Sequence, residues 1–431
     1  MNPIDTKLEQ RQASGYPIRV ALIGAGQMGN EIISTVGQMS GMQIDVVVDL
    51  NRKRAENGFR QSRDARKVVA TEDPGKAAAI LESGNRVATT DYRIATRAPQ
   101  IEAVIDATGS TEMGAVICLD CFDFKKHIVM MNVECDVTIG PILHKMADNA
   151  GVVYTLAAGD EPAAIIELYR FAHALGFTVI AAGKGKNNPL DIYATPDTVA
   201  ETARVRRMNP QMLCEFVDGT KTAVEMAAVS NATGLVPDIR GMHGAASSVE
   251  TLKTVFCPSK DGGVLDRSGV VDFAIGVHPG VFLIFTTDNP RLKQGLIQRD
   301  MGTGPYYQLF RPYHLCSIEV PLSVAQAVFY GESSGHPLAS LTSECITVAK
   351  IDLAAGETLD GIGGGCYRGS IELASVAAEE GFLPLGLAKG CVLKSSVKKD
   401  TVLRYTDVRI ANQTVLLQLR RMQDQLYSGS P

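Results

Sequence analysis

Residues 18–49 read IRVALIGAGQMGNEIISTVGQMSGMQIDVVVD, and this stretch decides the fold. Ile18, Val20, Leu22 and Ile23 make a short apolar run, and Gly24, Gly26 and Gly29 follow at G-x-G-x-x-G spacing where a strand should turn into a helix. Gly24 permits the tight turn, Gly26 lets the backbone approach a pyrophosphate, and Gly29 lets the helix lie close against its strand. The amide groups and positive dipole end of that helix then face the phosphates, with Gln27 and Met28 in its first turn. A second apolar run, Ile44 to Val48, closes the βαβ unit and ends on Asp49, where an acid can take the ribose hydroxyls. Asp49 favours NAD, because a carboxylate repels a 2′-phosphate. Arg52, Lys53 and Arg54 follow at once and can bind that phosphate, so NADP stays open, as does a solvated helix start.

Outward from this unit, three more apolar runs end in polar residues. Ile101 to Gly109 ends on Thr108 and Gly109, Lys126 to Glu134 on Asn132 and Glu134, and Gly151 to Ala158 on Gly159-Asp160-Glu161-Pro162. In open α/β sheets ligands bind beyond the carboxyl ends of the strands, so Thr108, Gly109, Asn132 and Glu134 join the cofactor-binding set; helix capping is the other reading of each acid, and for Asp160, ahead of Pro162, it explains the residue equally well. The charged segment 52–90, with a helix capped by Thr71 or Asp73, reads as an excursion packed on the sheet.

The middle of the chain supplies the candidate chemistry. Gly183, Lys184, Gly185 and Lys186 follow the apolar run Phe177 to Ala182, and Asn187 and Asn188 precede Pro189. Two ammonium groups on a flexible backbone with nearby amides suit a phosphate or carboxylate; a lysine-rich surface turn is the other reading. Residues 195–215 read as one basic helix, and 216–234 as a turn at Asp218-Gly219 followed by a helix ending on Asn231, Thr233 and Gly234. Asn231, Thr233 and His243 are candidate substrate contacts, as are Arg311 and His314 in a loop of the segment 262–330, which reads as β-rich, LCSIEVPLSVAQAVF included. From about residue 343, two short β-rich blocks and a closing helix, LLQLRRMQDQLY, suggest a small appended domain.

The chain of 431 residues has room for two or three domains. The expected architecture is α/β: a Rossmann-type doubly wound parallel sheet over 1–160, a central α+β catalytic and oligomerisation domain over 161–340, and a small β-rich domain over 341–431. A net charge of −5 gives no reason to expect a nucleic-acid partner. No run approaches the ~18 apolar residues of a membrane span, and the polar start MNPIDTKLEQRQ does not read as a secretory signal. Nine cysteines, an odd number scattered through apolar segments, suit reduced thiols and a cytoplasmic protein. Cys118 and Cys121 form a C-x-x-C within a helical pattern and read as buried thiols.

Taken together, GAGQMG, VIDATG, VMMNVE, DVTIGP, GDEP, GKGKNNPL, VEMAAVSNATGLVPD, GMHG and RPYHL resemble the homoserine-dehydrogenase-like oxidoreductases with a C-terminal SAF domain. The nearest named activity is the DRL-type 1-deoxy-D-xylulose 5-phosphate reductoisomerase of isoprenoid precursor synthesis. The tail is similar to the SAF pattern at Asp352, Gly356 and Glu357, at Val397 to Asp400, and at Thr406 to Val408. The resemblance implies NAD or NADP, a divalent metal such as Mg or Mn, a small anionic substrate and a homodimer. It also implies that a phosphorylated ketose is rearranged before hydride transfer. Lys184 and Lys186 would then hold a phosphate or an enediolate oxygen, and Glu134, Asp160 or Glu161 would bind the metal or move protons. The family is expected to prefer NADPH, whereas Asp49 points to NAD. A homoserine-type dehydrogenase or another sugar-acid or polyol dehydrogenase, and a nucleotide-sensing binding protein, are the alternative readings.

Overall fold

A computed structural model describes residues 3–427. Contacts group them into two units: residues 3–163, 315–339 and 419–427 in the first, and residues 164–314 and 340–418 in the second.

The first unit is built on a seven-stranded sheet, every neighbouring pair parallel, in the order β3-β4-β2-β1-β5-β6-β7. Its strands are β1 (Ile18–Ile23), β2 (Met42–Val48), β3 (Val68–Ala70), β4 (Arg86–Thr89), β5 (Ala103–Asp106), β6 (His127–Met130) and β7 (Tyr154–Leu156). The order reverses at β1, where the chain leaves to β2 on one side and returns to β5 on the other. That is the switch point at which a doubly wound sheet opens a crevice. Strands this apolar are buried on both faces: Val20, Leu22, Val47, Ile105 and Val129 are fully enclosed.

Two sequence expectations change here and one choice is decided. The segment 52–90 is no mere excursion, because it supplies β3 and β4, strands of three and four residues that are too short to show a period. The capping choice falls on Asp73, whose carboxylate accepts the Lys76 amide (2.9 Å) at the start of the Pro74–Glu82 helix. The run LCSIEVPLSVAQAVF is the Cys316–Tyr330 helix. It buries Val320, Val324 and Ala325, a helical stripe, in the core it shares with Val20, Leu22, Ile32 and Ile33. The leading helix runs Ile4–Ala13; Met1 and Asn2 lie outside the described residues.

The second unit contains a five-stranded mixed sheet in the order β12-β11-β8-β10-β9. Here β8 is Thr178–Lys186, β9 Val236–Pro237, β10 Val270–Ile275, β11 Val281–Thr286 and β12 Tyr307–Arg311. The expected single helix at 195–215 is two, Ala200–Arg206 and Pro210–Val217. Arg207 turns left-handed (φ 54°) and the Asn209 side chain caps the second helix, whose first residue is Pro210, so the chain breaks where proline disfavours a continuing helix. The Thr220–Thr233 helix is buried almost all round. It packs against β10 and against a hairpin of the tail, β13 (Ser343–Ala349) and β14 (Tyr367–Leu373). Residues 340–418 therefore share one unit with 164–314. Among the described residues no helix is long and apolar enough to cross a membrane.

Candidate functional site

In the first unit the glycine turn joins β1 to the Gln27–Val36 helix. Gly24 has φ +106°, and a Cβ there would lie 2.5 Å from the Ala107 carbonyl oxygen. At Gly29 a Cβ would lie 2.0 Å from the Gly24 oxygen, so helix and turn touch directly. Gly26 is the opposite case: nothing lies within 4 Å of an added Cβ. The first and third glycines are thus required by the fold, while the second leaves a clear approach over the helix N-terminus. Gln27 is exposed and Met28 half-buried beside it.

Asp49 stands at the end of β2. Its Oδ2 accepts the Ala25 amide (3.0 Å), and its Oδ1 the Asn51 amide (2.8 Å). The acid is therefore tied to the glycine turn itself. Arg52 is exposed and lies 3.6 Å from Glu56; Asn51 caps its helix through the Lys53 and Arg54 amides.

Beyond β5, Asp106 accepts the Thr108 amide (2.9 Å) and the Asn132 side-chain amide (3.2 Å). Burial pushes the Asp106 carboxyl above its usual range. Asn132 also donates to the Ser110 carbonyl (2.7 Å) and accepts the Cys135 amide. Its side chain is enclosed and ties the β5 loop to the Val133–Ala150 helix. Glu134 is buried in the first turn of that helix, whereas Thr108 and Gly109 reach the surface. Asp160 and Glu161 are both buried, at the end of the loop after β7 and the start of the Glu161–Ala174 helix. The Cys316 thiol approaches Asp160 Oδ1 (3.7 Å) and Glu161 Oε2 (3.9 Å). No sequence signal pointed to Cys316, which is 155 residues from Glu161.

In the second unit the two lysines correct the expectation of a flexible turn. Both belong to β8, between β10 and β11, with Lys184 opposite Phe273 and Val281 and Lys186 opposite Ile275. Positions two apart on a strand share a face, so Lys184 and Lys186 stand side by side. Close neighbours demand the intervening glycines: a Cβ at Gly185 would meet the Val277 oxygen at 1.4 Å, and one at Gly183 the Asp272 oxygen at 2.0 Å. Lys184 pairs with Glu225 from the Thr220–Thr233 helix, both buried. Lys186 Nζ donates to the Phe216 carbonyl (2.7 Å). Burial, and then the Lys184 charge, bring the Lys186 ammonium down to about 8. At neutral pH this amine is within reach of proton exchange, which an ordinary surface lysine is not.

The remaining candidates are placed as follows. Asn187 is exposed, and Asn188 accepts from Arg206 (2.6 Å). Asn231 Oδ1 accepts the Thr342 and Ser343 amides (2.8 and 2.9 Å), and Thr233 donates to the Val229 carbonyl (2.7 Å). Both side-chain oxygens thus bond the protein's own backbone, while Asn231 Nδ2 is buried with no hydrogen-bond partner among the described residues. His243 Nε2 lies 2.8 Å from Asp238 Oδ2, and its amide donates to Asp272 (3.1 Å). Arg311 stacks on Tyr313 (4.6 Å) and lies 3.5 Å from Glu167, and His314 is half-buried.

Residues 159–320 match the family model described as Oxidoreductase DRL, catalytic domain. The match holds both GDEP and GKGKNNPL, and it supports an oxidoreductase as the coarse class. No curated protein matches the chain. Among solved structures, a NAD-binding oxidoreductase from Klebsiella pneumoniae is 14% identical over 40% of this chain and 43% of its own, with a TM-score of 0.29. A probable dehydrogenase from Thermotoga maritima is 12% identical over 68% of this chain and 75% of its own (TM-score 0.36). An oxidoreductase from Agrobacterium radiobacter, solved with NAD+, L-tartaric acid and magnesium, is 12% identical over 44% of this chain and 54% of its own (TM-score 0.29). The chain spans less than half the length of the first of these, and likenesses this distant do not say what it acts on.

Proposed function

We propose that the chain is a NAD(P)-dependent oxidoreductase of a small anionic polyol or ketose, of the reductoisomerase type. The observation that carries this reading is the Lys184–Lys186 pair on one face of β8, with Glu225 against the first and a depressed ammonium on the second. The oxidoreductase match over 159–320 includes both lysines.

The glycine turn fits a dinucleotide. Gly26 leaves open space over a ten-residue helix whose N-terminal amides favour a pyrophosphate, and the tethered Asp49 carboxylate is positioned to accept ribose hydroxyls. When bound, the nicotinamide supplies a hydride acceptor or donor. The chain's own work is then to hold the anionic reactant and to manage its proton. Lys184, neutralised in part by Glu225, orients an oxygen of the reactant. Lys186 donates a proton from Nζ to the carbonyl oxygen in reduction, or accepts one from the hydroxyl in oxidation. Asp160 and Glu161 offer carboxylate oxygens suited to Mg or Mn; the soft Cys316 sulfur beside them suits neither ion. These two acids would hold the metal, which would supply Lewis-acid chemistry.

The test follows nicotinamide absorbance with NADH and NADPH over phosphorylated ketoses, polyol acids and homoserine, with and without EDTA. Turnover with a phosphorylated ketose, lost on chelation and restored by Mg or Mn, is the expected result. Turnover confined to homoserine would overturn the substrate class, and none with any reactant would favour a nucleotide-binding role without catalysis.

A further inference from the structure

The tail of the second unit reaches the lysine pair through one buried ion pair. Lys350, the residue after β13, and Asp218, the residue after the Pro210–Val217 helix, have no solvent exposure, and their charged groups lie 2.6 Å apart. Lys350 Nζ also donates to the Ala194 and Gly364 carbonyls (2.8 and 2.7 Å) and lies 3.5 Å from the Cys214 sulfur. Asp218 Oδ1 accepts the Thr220 amide (2.8 Å), which fixes the turn between the two helices. Two residues before Asp218, the Phe216 carbonyl takes the Lys186 ammonium. Five residues after Thr220, the same helix presents Glu225 to Lys184. A further tie comes from the Gly369 amide of β14, which donates to Thr220 Oγ1 (2.8 Å).

We propose that Lys350 is a positioning residue for the lysine pair: it holds the Asp218 carboxylate, and the Phe216–Thr220 turn fixed in this way sets where Lys186 stands and which charge faces it. This rests on the reading of Lys186 as the proton-exchanging group. A buried ion pair is a poor source of stability, since desolvating two charges offsets their attraction. An ionic pair at this depth, next to a titrating amine, is better explained by what its carboxylate does to that amine. Charged groups bearing on Lys186 are Lys184 from the same strand, Glu225 from the Thr220–Thr233 helix and Asp218 from the turn; the first lowers its affinity for a proton and the two acids raise it. Burial pushes the Asp218 carboxyl up, and the Lys350 ammonium opposes that rise. Without Lys350 the carboxylate would tend to take a proton and its charge would vanish from the site.

The experiment uses the full chain and needs no substrate. Competitive acetylation with acetic anhydride across a pH series, read lysine by lysine by mass spectrometry, gives the midpoint of Lys186 in the native protein and in the double variant Asp218→Asn with Lys350→Met. Both substitutions keep volume and remove both charges together, which buried pairs tolerate better than removal of one. The expected result is a Lys186 midpoint lower by about half a unit or more, the direction set by loss of a nearby negative charge. Asp218→Asn alone, in which Lys350 can shed its proton, should move the midpoint the same way and serves if the double variant does not fold. A folded variant with an unmoved midpoint would overturn the proposal. If the midpoint moves and Lys186→Met nevertheless turns over as wild type, the positioning role stands and the role given to Lys186 falls.

Discussion

The anion sites proposed in the two units are of opposite kinds. In the first, recognition belongs to the backbone: three glycines, a helix N-terminus and one acid tethered to the Ala25 amide, with no basic side chain in the turn. In the second, recognition belongs to side chains: two lysines on an interior strand, each placed by a partner from elsewhere in the unit. The difference teaches which perturbation each should feel. A backbone cradle is sensitive to an added methyl group and nearly indifferent to pH, whereas a buried amine tolerates small changes of shape and answers to charge and pH.

The glycines offer the sharpest break in that comparison. Gly29→Ala would drive a Cβ to 2.0 Å from the Gly24 oxygen, so the first unit should lose stability by roughly 3 kcal/mol or more, as overpacking against rigid backbone does. Thermal denaturation reads this directly. Gly26→Ala meets no atom of the protein within 4 Å; its melting temperature should stay within a degree or two while NADH affinity falls about tenfold, a loss of roughly 1.4 kcal/mol, seen by fluorescence titration. Equal effects at the two positions would dissolve the distinction between a glycine the fold needs and one the ligand needs.

The lysine unit should instead respond to pH. With the Lys186 ammonium lowered to about 8, reduction that draws a proton from it should weaken as pH rises through 8, and Lys186→Met should abolish that limb. Stability runs the other way. The unfolded chain binds this proton more tightly, so the Lys186 contribution to stability is present above the ordinary lysine value and is lost as pH falls through about 8. Chemical denaturation at pH 7 and pH 10 should show a smaller difference in Lys186→Met than in wild type. An effect of the Gly26→Ala size, but on cofactor choice, is expected at Asp49. Asp49→Ser removes the carboxylate that repels a 2′-phosphate and should shift the NADPH-to-NADH preference upward by about tenfold, measured as the ratio of kcat/KM values.

How much of this was legible in the sequence follows the same division. The glycine turn, β1, β2 and the Asp49 position were readable because their determinants lie within about thirty residues of one another and act locally, and β5 because it is a continuous apolar run that ends in small residues. β3 and β4 were not, being strands of three and four residues with no room for a period. The Cys316–Tyr330 helix passed for a strand because its apolar residues are dense enough to hide their helical spacing around Pro321. The lysines were found as a motif but misplaced on a flexible turn: what makes them part of β8 is pairing with β10 and β11, more than eighty residues on. Asn231 illustrates the limit from the other side. An amide at a helix end near a glycine looks available to a ligand, and only the fold shows its oxygen taken by the Thr342 and Ser343 amides. The Asp218–Lys350 pair joins residues 132 positions apart and left no local signal.

The central claim is that the backbone cradle holds a pyridine nucleotide while the strand-borne amine moves the proton of an anionic reactant. Its most direct test is to measure, in Lys186→Met, NADH affinity by titration and kcat with whichever reactant the wild-type chain turns over. The account predicts unchanged affinity and a kcat lower by about a hundredfold or more, as loss of a general acid-base group entails. An unchanged kcat, or an equal loss of nucleotide affinity, would contradict it.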